Sequence, residues 1–281
     1  MKSGKKPSNC AIYPQRNSTP YQYSYIPTEK QINKMKKILK WIAISIFSLL
    51  FLSSLGFILW AENPLGPGAE AVKALQSDSA VTVNQLPAYT TFTPANQQPQ
   101  SAFIFYPGGR VDYRSYAPAL RMIAEQGTLV ILVPVRLNLA FFDIEAAQKA
   151  LDDFPQIKHW AIGGHSLGGV AAAIFAQKQP KIEGIAFWAS YPADDSLKNT
   201  SLKITSISAS ADGLSTIAKI EASRALLPAQ TTYISIQGGN HAGFGDYGLQ
   251  PGDGTANITK SEQWSQTASA TVQLMQSLAT P

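Results

Sequence analysis

From Trp41 to Ala61 the chain reads WIAISIFSLLFLSSLGFILWA, twenty-one residues without a charge. Beyond it, short apolar runs alternate with stretches of helical period. AVTV (80–83) and YTTFT (89–93) open the series, followed by AFIFY (102–106), LVILVPV (129–135), HWAIGG (159–164), GIAFWAS (184–190), ITSISAS (204–210) and TYISIQ (232–237). Near-continuous apolar runs of this length suit strands buried on both faces of a parallel sheet. Helical patterns fall between them: 115–126 ending at Gly127, 144–154 before Pro155, and 167–179 before Pro180. Thr259 and Glu262 form a capping box, after which Trp264, Ala268, Thr271, Val272, Met275 and Leu278 share one helical face that reads as packing. The alternation predicts an α/β fold.

The uncharged run has the length of a membrane span, since about twenty helical residues cover a hydrocarbon core of ~30 Å. Trp41 and Trp60 stand at its two ends, as interfacial aromatics do. Lys34, Lys36, Lys37 and Lys40 crowd its N-terminal flank, whereas the first basic residue on the other side is Lys73. The positive-inside rule then leaves the N-terminus in the cytoplasm and the bulk of the chain outside. A cleaved signal peptide is the rival reading; the long basic leader and the lack of a small-x-small site after the run favour an uncleaved anchor. The expected organisation is a basic cytoplasmic tail at 1–40, largely disordered, a transmembrane helix at 41–61, a Pro/Gly tether at 62–68, and one domain at 69–281.

Charge follows the same division. The net charge of +5 conceals nine Lys/Arg against one acid, Glu29, in the first sixty residues, while the remainder carries fourteen basic and seventeen acidic residues. The basic pI therefore belongs to the tail, and without a basic stripe on the domain no nucleic-acid partner is expected. The single cysteine, Cys10, lies in the tail, so the domain has no disulfide and no thiolate nucleophile. There is no H-E-x-x-H and no P-loop, and the one G-x-G-x-x-A stretch, at Gly66, has no strand before it. No metal, nucleotide or flavin is expected.

The motif richest in chemistry is Gly164-His165-Ser166-Leu167-Gly168, directly between the strand HWAIGG and the following helix. In a loop, G-x-S-x-G is only a glycine-rich turn; between strand and helix it is a nucleophile elbow, whose strained turn holds the serine up. Serine needs a base. Of three histidines, His159 begins the preceding strand and His165 is the elbow's variable position, which leaves His241 in GGNHAGFG after the last strand. A carboxylate must orient that base. Asp212, in SASADGLS, stands between Ser166 and His241 in the chain; Asp194 and Asp195, one strand earlier, compete. Acyl transfer also needs oxyanion donors. The Leu167 N–H is one, and the Gly109 N–H in Pro107-Gly108-Gly109-Arg110 is the candidate for the second. Arg110 and His165 are candidates for contacting substrate.

Taken in order, YPGGRVDYRSYAP, GGHSLGG, SASADGL and GGNHAGFGDYG resemble the α/β-hydrolase superfamily, in particular its compact dienelactone-hydrolase-like branch, over 69–281. The resemblance implies an eight-stranded, mostly parallel sheet flanked by helices. It puts the nucleophile after the fifth strand, the acid after the seventh and the histidine after the eighth, hence Ser166, Asp212 and His241. Serine stands where the dienelactone hydrolases carry cysteine. The stretch 191–203 is too short for a large helical lid, and the loop 242–258, with Phe244, Asp246 and Tyr247, is expected to line the acyl or leaving-group pocket. The expected activity is a membrane-anchored serine esterase acting on a small, lipid or glycan ester. Thioesterase, lipase-like and acyltransferase chemistry use the same parts, and a non-catalytic binding module held at the membrane is the rival of another class.

Overall fold

The computed structural model describes residues 27–279, which divide into two compact units, the segment up to Ser53 and the remainder from Ser54. One helix, α1 (Glu29–Ala61), runs through the boundary. It starts well before the apolar run. Gln31 Oε1 accepts both the N–H and the hydroxyl of Thr28, a capping arrangement that begins the helix inside the segment expected to be disordered. The lysines at 34, 36, 37 and 40 continue it at no cost in propensity. Most of the disorder expected for the tail lies outside the described residues.

From Ser54 onward the unit is a three-layer α/β structure. Its sheet has the order β1-β2-β4-β3-β5-β6-β7-β8, built from β1 (Val81–Gln85), β2 (Thr90–Pro94), β3 (Ser101–Tyr106), β4 (Leu129–Leu132), β5 (His159–His165), β6 (Ile182–Trp188), β7 (Lys203–Ala209) and β8 (Thr232–Ile236). The β1/β2 and β2/β4 pairs are antiparallel and every other pair is parallel. Strand β4 ends before Val133-Pro134, because proline cannot donate to a neighbour.

Alternation along β3 shows why the sheet is buried twice. Phe103 and Phe105 face a layer that includes Leu120, Ile123, Val272 and Met275 from α3 (Ala117–Glu125) and α7 (Lys260–Ala279). Ala102, Ile104 and Tyr106 face the opposite layer, with Leu151 of α4 (Gln148–Asp153) and Ala172 and Phe175 of α5 (Leu167–Lys178). Two short helices lie outside the expected pattern: α2 (Ala69–Ala74), and α6 (Ile217–Ser223), which is capped by Thr216. No helix is inserted between β6 and β7.

The stretch expected to be a Pro/Gly tether pairs with the domain through Leu65 and Gly68. Leu65 bridges Val111 in parallel, with its N–H on the Arg110 carbonyl at 2.8 Å and its own carbonyl taking the Asp112 N–H at 2.9 Å. The Gly68 N–H reaches the Asp246 carbonyl, and Asp246 Oδ2 accepts the Ala71 N–H at the start of α2. A Pro/Gly composition permits this path; the pairing that fixes it is made by residues distant in sequence.

Candidate active site

Ser166 sits between β5 and α5 at φ 51° and ψ −120°, a left-handed conformation that non-glycine residues rarely adopt. The turn is enforced by close approach. A Cβ on Gly164 would lie 2.3 Å from the Gly168 carbonyl carbon, one on Gly168 2.4 Å from the carbonyl oxygens of Tyr106 and Pro107, and one on Gly169 2.4 Å from Ser190 Oγ. Only glycine lets the strand, the helix and the β3 end meet here. Ser166 is then fixed from outside: its N–H donates to the Trp188 carbonyl at 3.0 Å, and its carbonyl accepts the Ser190 hydroxyl at 2.6 Å.

His241 follows β8 and is 1% exposed. Its Nδ1 lies 2.8 Å from Asp212 Oδ2, while Asp212 Oδ1 accepts the N–H groups of Leu214 at 2.8 Å and Ser215 at 2.7 Å. With the carboxylate as acceptor, the Nδ1 proton is assigned to the histidine, which leaves the Nε2 lone pair open. Nε2 is buried and has no partner among the described residues. The ring stands 4.3 Å, centroid to centroid, from that of His165, the residue before Ser166. Asp194 is instead held in its own turn by Ser196, and His159 pairs with Glu183.

Of the three consecutive amides in the glycine loop, two are occupied. The Gly108 N–H donates to the Tyr116 hydroxyl at 3.0 Å and the Arg110 N–H to the Asn138 carbonyl at 2.8 Å. The Gly109 N–H has no partner among the described residues. Gly109 lies beside the elbow, since a Cβ there would be 3.3 Å from Leu167 Cδ2. A free amide next to the N-terminus of α5 is the arrangement an oxyanion requires.

The residues expected to touch substrate are placed elsewhere. His165 is 1% exposed, and its Nδ1 meets the Tyr116 hydroxyl at 2.9 Å. Burial disfavours the imidazolium, so His165 is assigned as neutral, with the Tyr116 hydroxyl donating to Nδ1 and the ring proton on Nε2. Burial pushes its pKa well below the ordinary range, and neighbouring His241 adds to the effect. Phe244 is fully buried, stacked 5.5 Å from His165 and 6.4 Å from Trp188. Tyr247 is 5% exposed and packs 6.2 Å from Tyr116. Phe244 and Tyr247 pack around His165, and all three side chains are buried. Arg110, at φ 56°, donates through Nε to the Trp60 carbonyl at 3.0 Å and through a terminal nitrogen to the Asn63 carbonyl at 2.7 Å, with its guanidinium 4.3 Å from the Trp60 ring.

The chain belongs to the alpha/beta hydrolase family. Its family model matches residues 102–265. Among solved structures, the chain is similar to a dienelactone hydrolase from Anabaena variabilis, with 14% identity, a TM-score of 0.54, and coverage of 71% of this chain and 99% of that one. The esterase domain of a Rhodothermus marinus protein is similar at 14% identity and a TM-score of 0.52, covering 69% of this chain and 96% of the other. At such identities the likeness is one of fold. No curated protein matches.

Residues that hold this site together escaped the sequence reading. Asp253 accepts four backbone N–H groups: Gly213 and His241 at 3.1 Å and Gly254 at 2.8 Å through Oδ1, and Ala242 at 2.8 Å through Oδ2. It thereby ties the Asp212 loop to the His241 loop. From α7, Gln263 brackets Asn240, accepting its N–H at 3.1 Å and donating to its carbonyl at 2.7 Å, so this helix also holds the histidine loop. A carboxylate two residues into a Pro-Gly-Asp-Gly turn carries no motif; the only available signal was the close spacing of glycines at 252 and 254.

Proposed function

We propose that the protein is a membrane-anchored serine hydrolase that cleaves an ester-type acyl bond through Ser166, His241 and Asp212. The observation that carries the reading is the buried His241–Asp212 pair at 2.8 Å, whose Nε2 has no partner among the described residues and whose ring packs 4.3 Å from His165, the residue before a serine held at positive φ.

In this mechanism Ser166 Oγ attacks the acyl carbon as its proton passes to His241 Nε2. The carbonyl π pair moves to oxygen, where the amides of Gly109 and Leu167 receive it. Collapse breaks the bond to the leaving oxygen, which takes the proton from Nε2. Water then adds to the acyl-enzyme, gives its proton to Nε2, and the proton returns to Ser166 Oγ as the acid departs. Asp212 holds the imidazole in the tautomer that makes Nε2 the base and balances the imidazolium. His165, kept neutral by burial, places no second positive charge beside it.

Anchoring rests on α1. Its most apolar eighteen-residue window has a mean hydropathy of 2.4 and none of that window is buried in protein. Flanking lysines orient the domain outward, and the stretch stays uncleaved in this reading. The test is turnover of a 4-nitrophenyl ester series and matching thioesters by the full chain. A pre-steady-state burst of nitrophenol with the esters, lost in Ser166→Ala, is expected. A burst only with thioesters makes it a thioesterase, and none with either leaves the binding-module reading.

A further inference from the structure

The oxyanion loop is attached to the end of the apolar helix. Arg110 holds the carbonyls of Trp60 and Asn63, Asn138 Nδ2 holds that of Ala61 at 3.1 Å, and Leu65 pairs with Val111. The cation at the negative end of the helix, together with these bonds, satisfies carbonyls that the last turn leaves open. Three non-glycine residues at this junction, Arg110, Leu137 and Asn138, adopt positive φ, at 56°, 55° and 51°. Such strain persists only where surrounding contacts over-determine it, and it concentrates at functional sites.

Next to the junction lies an apolar projection. Phe141 is 46% exposed and Phe142 51%. The Phe142 ring stands 6.1 Å from that of Phe57, edge to face. Phe57 precedes Trp60 by three helical positions, about 4.5 Å of rise toward the middle of the apolar stretch. If Trp60 marks the lipid–water boundary, Phe142 packs against a residue inside it. The projection is continuous with the site: the Phe142 N–H bonds the Leu139 carbonyl at 3.0 Å, and a Cβ on Gly109 would lie 3.5 Å from Leu139 Cδ2. Three residues span at most about 10 Å. The oxyanion amide is therefore within about one headgroup layer of the bilayer.

We propose that Leu139, Phe141 and Phe142 form a seat in the outer membrane–water interface, and that the substrate is a membrane-borne ester, an amphiphile whose carbonyl lies at headgroup depth. This deepens the serine-hydrolase reading and rests on it for the substrate class, although the seat itself does not. A water-soluble ester has no use for two exposed phenylalanines this near the Gly109 amide; a lipid ester is delivered by them, since apolar side chains in the interface carry the interfacial binding energy.

The test uses the full chain, with Cys10→Ser, in phosphatidylcholine nanodiscs. An environment-sensitive fluorophore is attached through Phe142→Cys or through Lys181→Cys, the latter exposed at the opposite end of the parallel strands. The label at position 142 is expected to emit blue-shifted light and to be quenched by lipid-borne doxyl groups, and the one at 181 to show neither. Equal behaviour at the two positions overturns the seat. In the same nanodiscs, turnover of a long-chain 4-methylumbelliferyl ester dissolved in the bilayer is compared with that of the soluble acetate. Phe141→Ser with Phe142→Ser is expected to lower the ratio of the two rates about tenfold, the effect of ~1.4 kcal/mol. An unchanged ratio overturns the substrate class. No turnover of either ester by the parent chain, with the quenching pattern intact, overturns the serine-hydrolase reading and leaves the seat.

Discussion

Replacing Tyr116 with Phe removes one oxygen and keeps the ring. That oxygen accepts the Gly108 N–H at 3.0 Å and donates to His165 Nδ1 at 2.9 Å, and all three groups are buried. Each buried polar group left without a partner costs about 1–3 kcal/mol, whereas deleting the hydroxyl also removes its own desolvation penalty and offsets about one of them. The net destabilisation is about 2 kcal/mol. In a domain of this size each kcal/mol moves Tm by roughly 2–4 °C, so a fall of about 4–8 °C is expected in a thermal melt followed by circular dichroism. Activity reports the second consequence. The same bond fixes the loop that aims the Gly109 N–H, and because complete loss of an oxyanion donor costs about 100- to 1,000-fold in kcat, a loosened one should cost about tenfold, with KM for a soluble ester little changed. A Tm within about 1 °C of the parent, together with an unaltered kcat, refutes the claim that this hydroxyl ties His165 to the oxyanion loop.

Other consequences follow from the same geometry. His165 remains neutral in the fold while the unfolded chain titrates near pH 6.5, so below about that pH the unfolded state binds a proton that the native state refuses. Stability should then fall as pH drops, by up to ~1.4 kcal/mol per pH unit, and urea titrations should show a shallower slope for His165→Gln; parallel slopes contradict the assignment. Asp253→Asn weakens the acceptor that joins the Asp212 and His241 loops, and kcat is expected to fall about tenfold while soluble-ester KM holds; a pure stability loss with intact kcat assigns Asp253 to folding alone. Ser166→Gly should be more stable than Ser166→Ala by about 1 kcal/mol in chemical denaturation, because glycine accepts φ 51° without strain. A chain beginning at Gly68 lacks the carbonyls that Arg110 holds, and its kcat should fall well below that of the full chain; equal kcat shows that the oxyanion loop needs no support from the helix end.

Much of the architecture was legible because its signals are local. Apolar runs gave seven strands to within two residues and overran the end of β4 by three, and Pro155, Pro180 and Gly127 marked helix ends. The elbow was legible for the same reason, as glycines around Ser166 are a contiguous statement about close approach. What failed was non-local. His165 looked like a group facing substrate, yet its direction is decided by Tyr116, forty-nine positions earlier. Arg110 carries a free charge in sequence but is bound to carbonyls of Trp60 and Asn63 in the fold. Phe244 and Tyr247 occupy a glycine-rich loop expected to line the acyl or leaving-group pocket, and their burial depends on the ring cluster of Trp188, Tyr116 and His165. Spacing left Asp212 competing with Asp194 and Asp195; the fold bonds Asp212 to His241 and Asp194 to Ser196, pairings that spacing does not reveal. The early start of α1 was available in Thr28 and Gln31, but the polar composition around them concealed it.

The central claim is that Ser166 is an activated nucleophile dependent on His241. Its most direct test is labelling of the full chain in nanodiscs by a fluorophosphonate probe, read on a gel and by mass spectrometry of the modified peptide. The account predicts one adduct, on Ser166, formed by the parent chain, absent in Ser166→Ala, and slowed at least about 1,000-fold in His241→Ala. A correctly folded parent chain that takes up no probe, or labelling that survives Ser166→Ala, would contradict it.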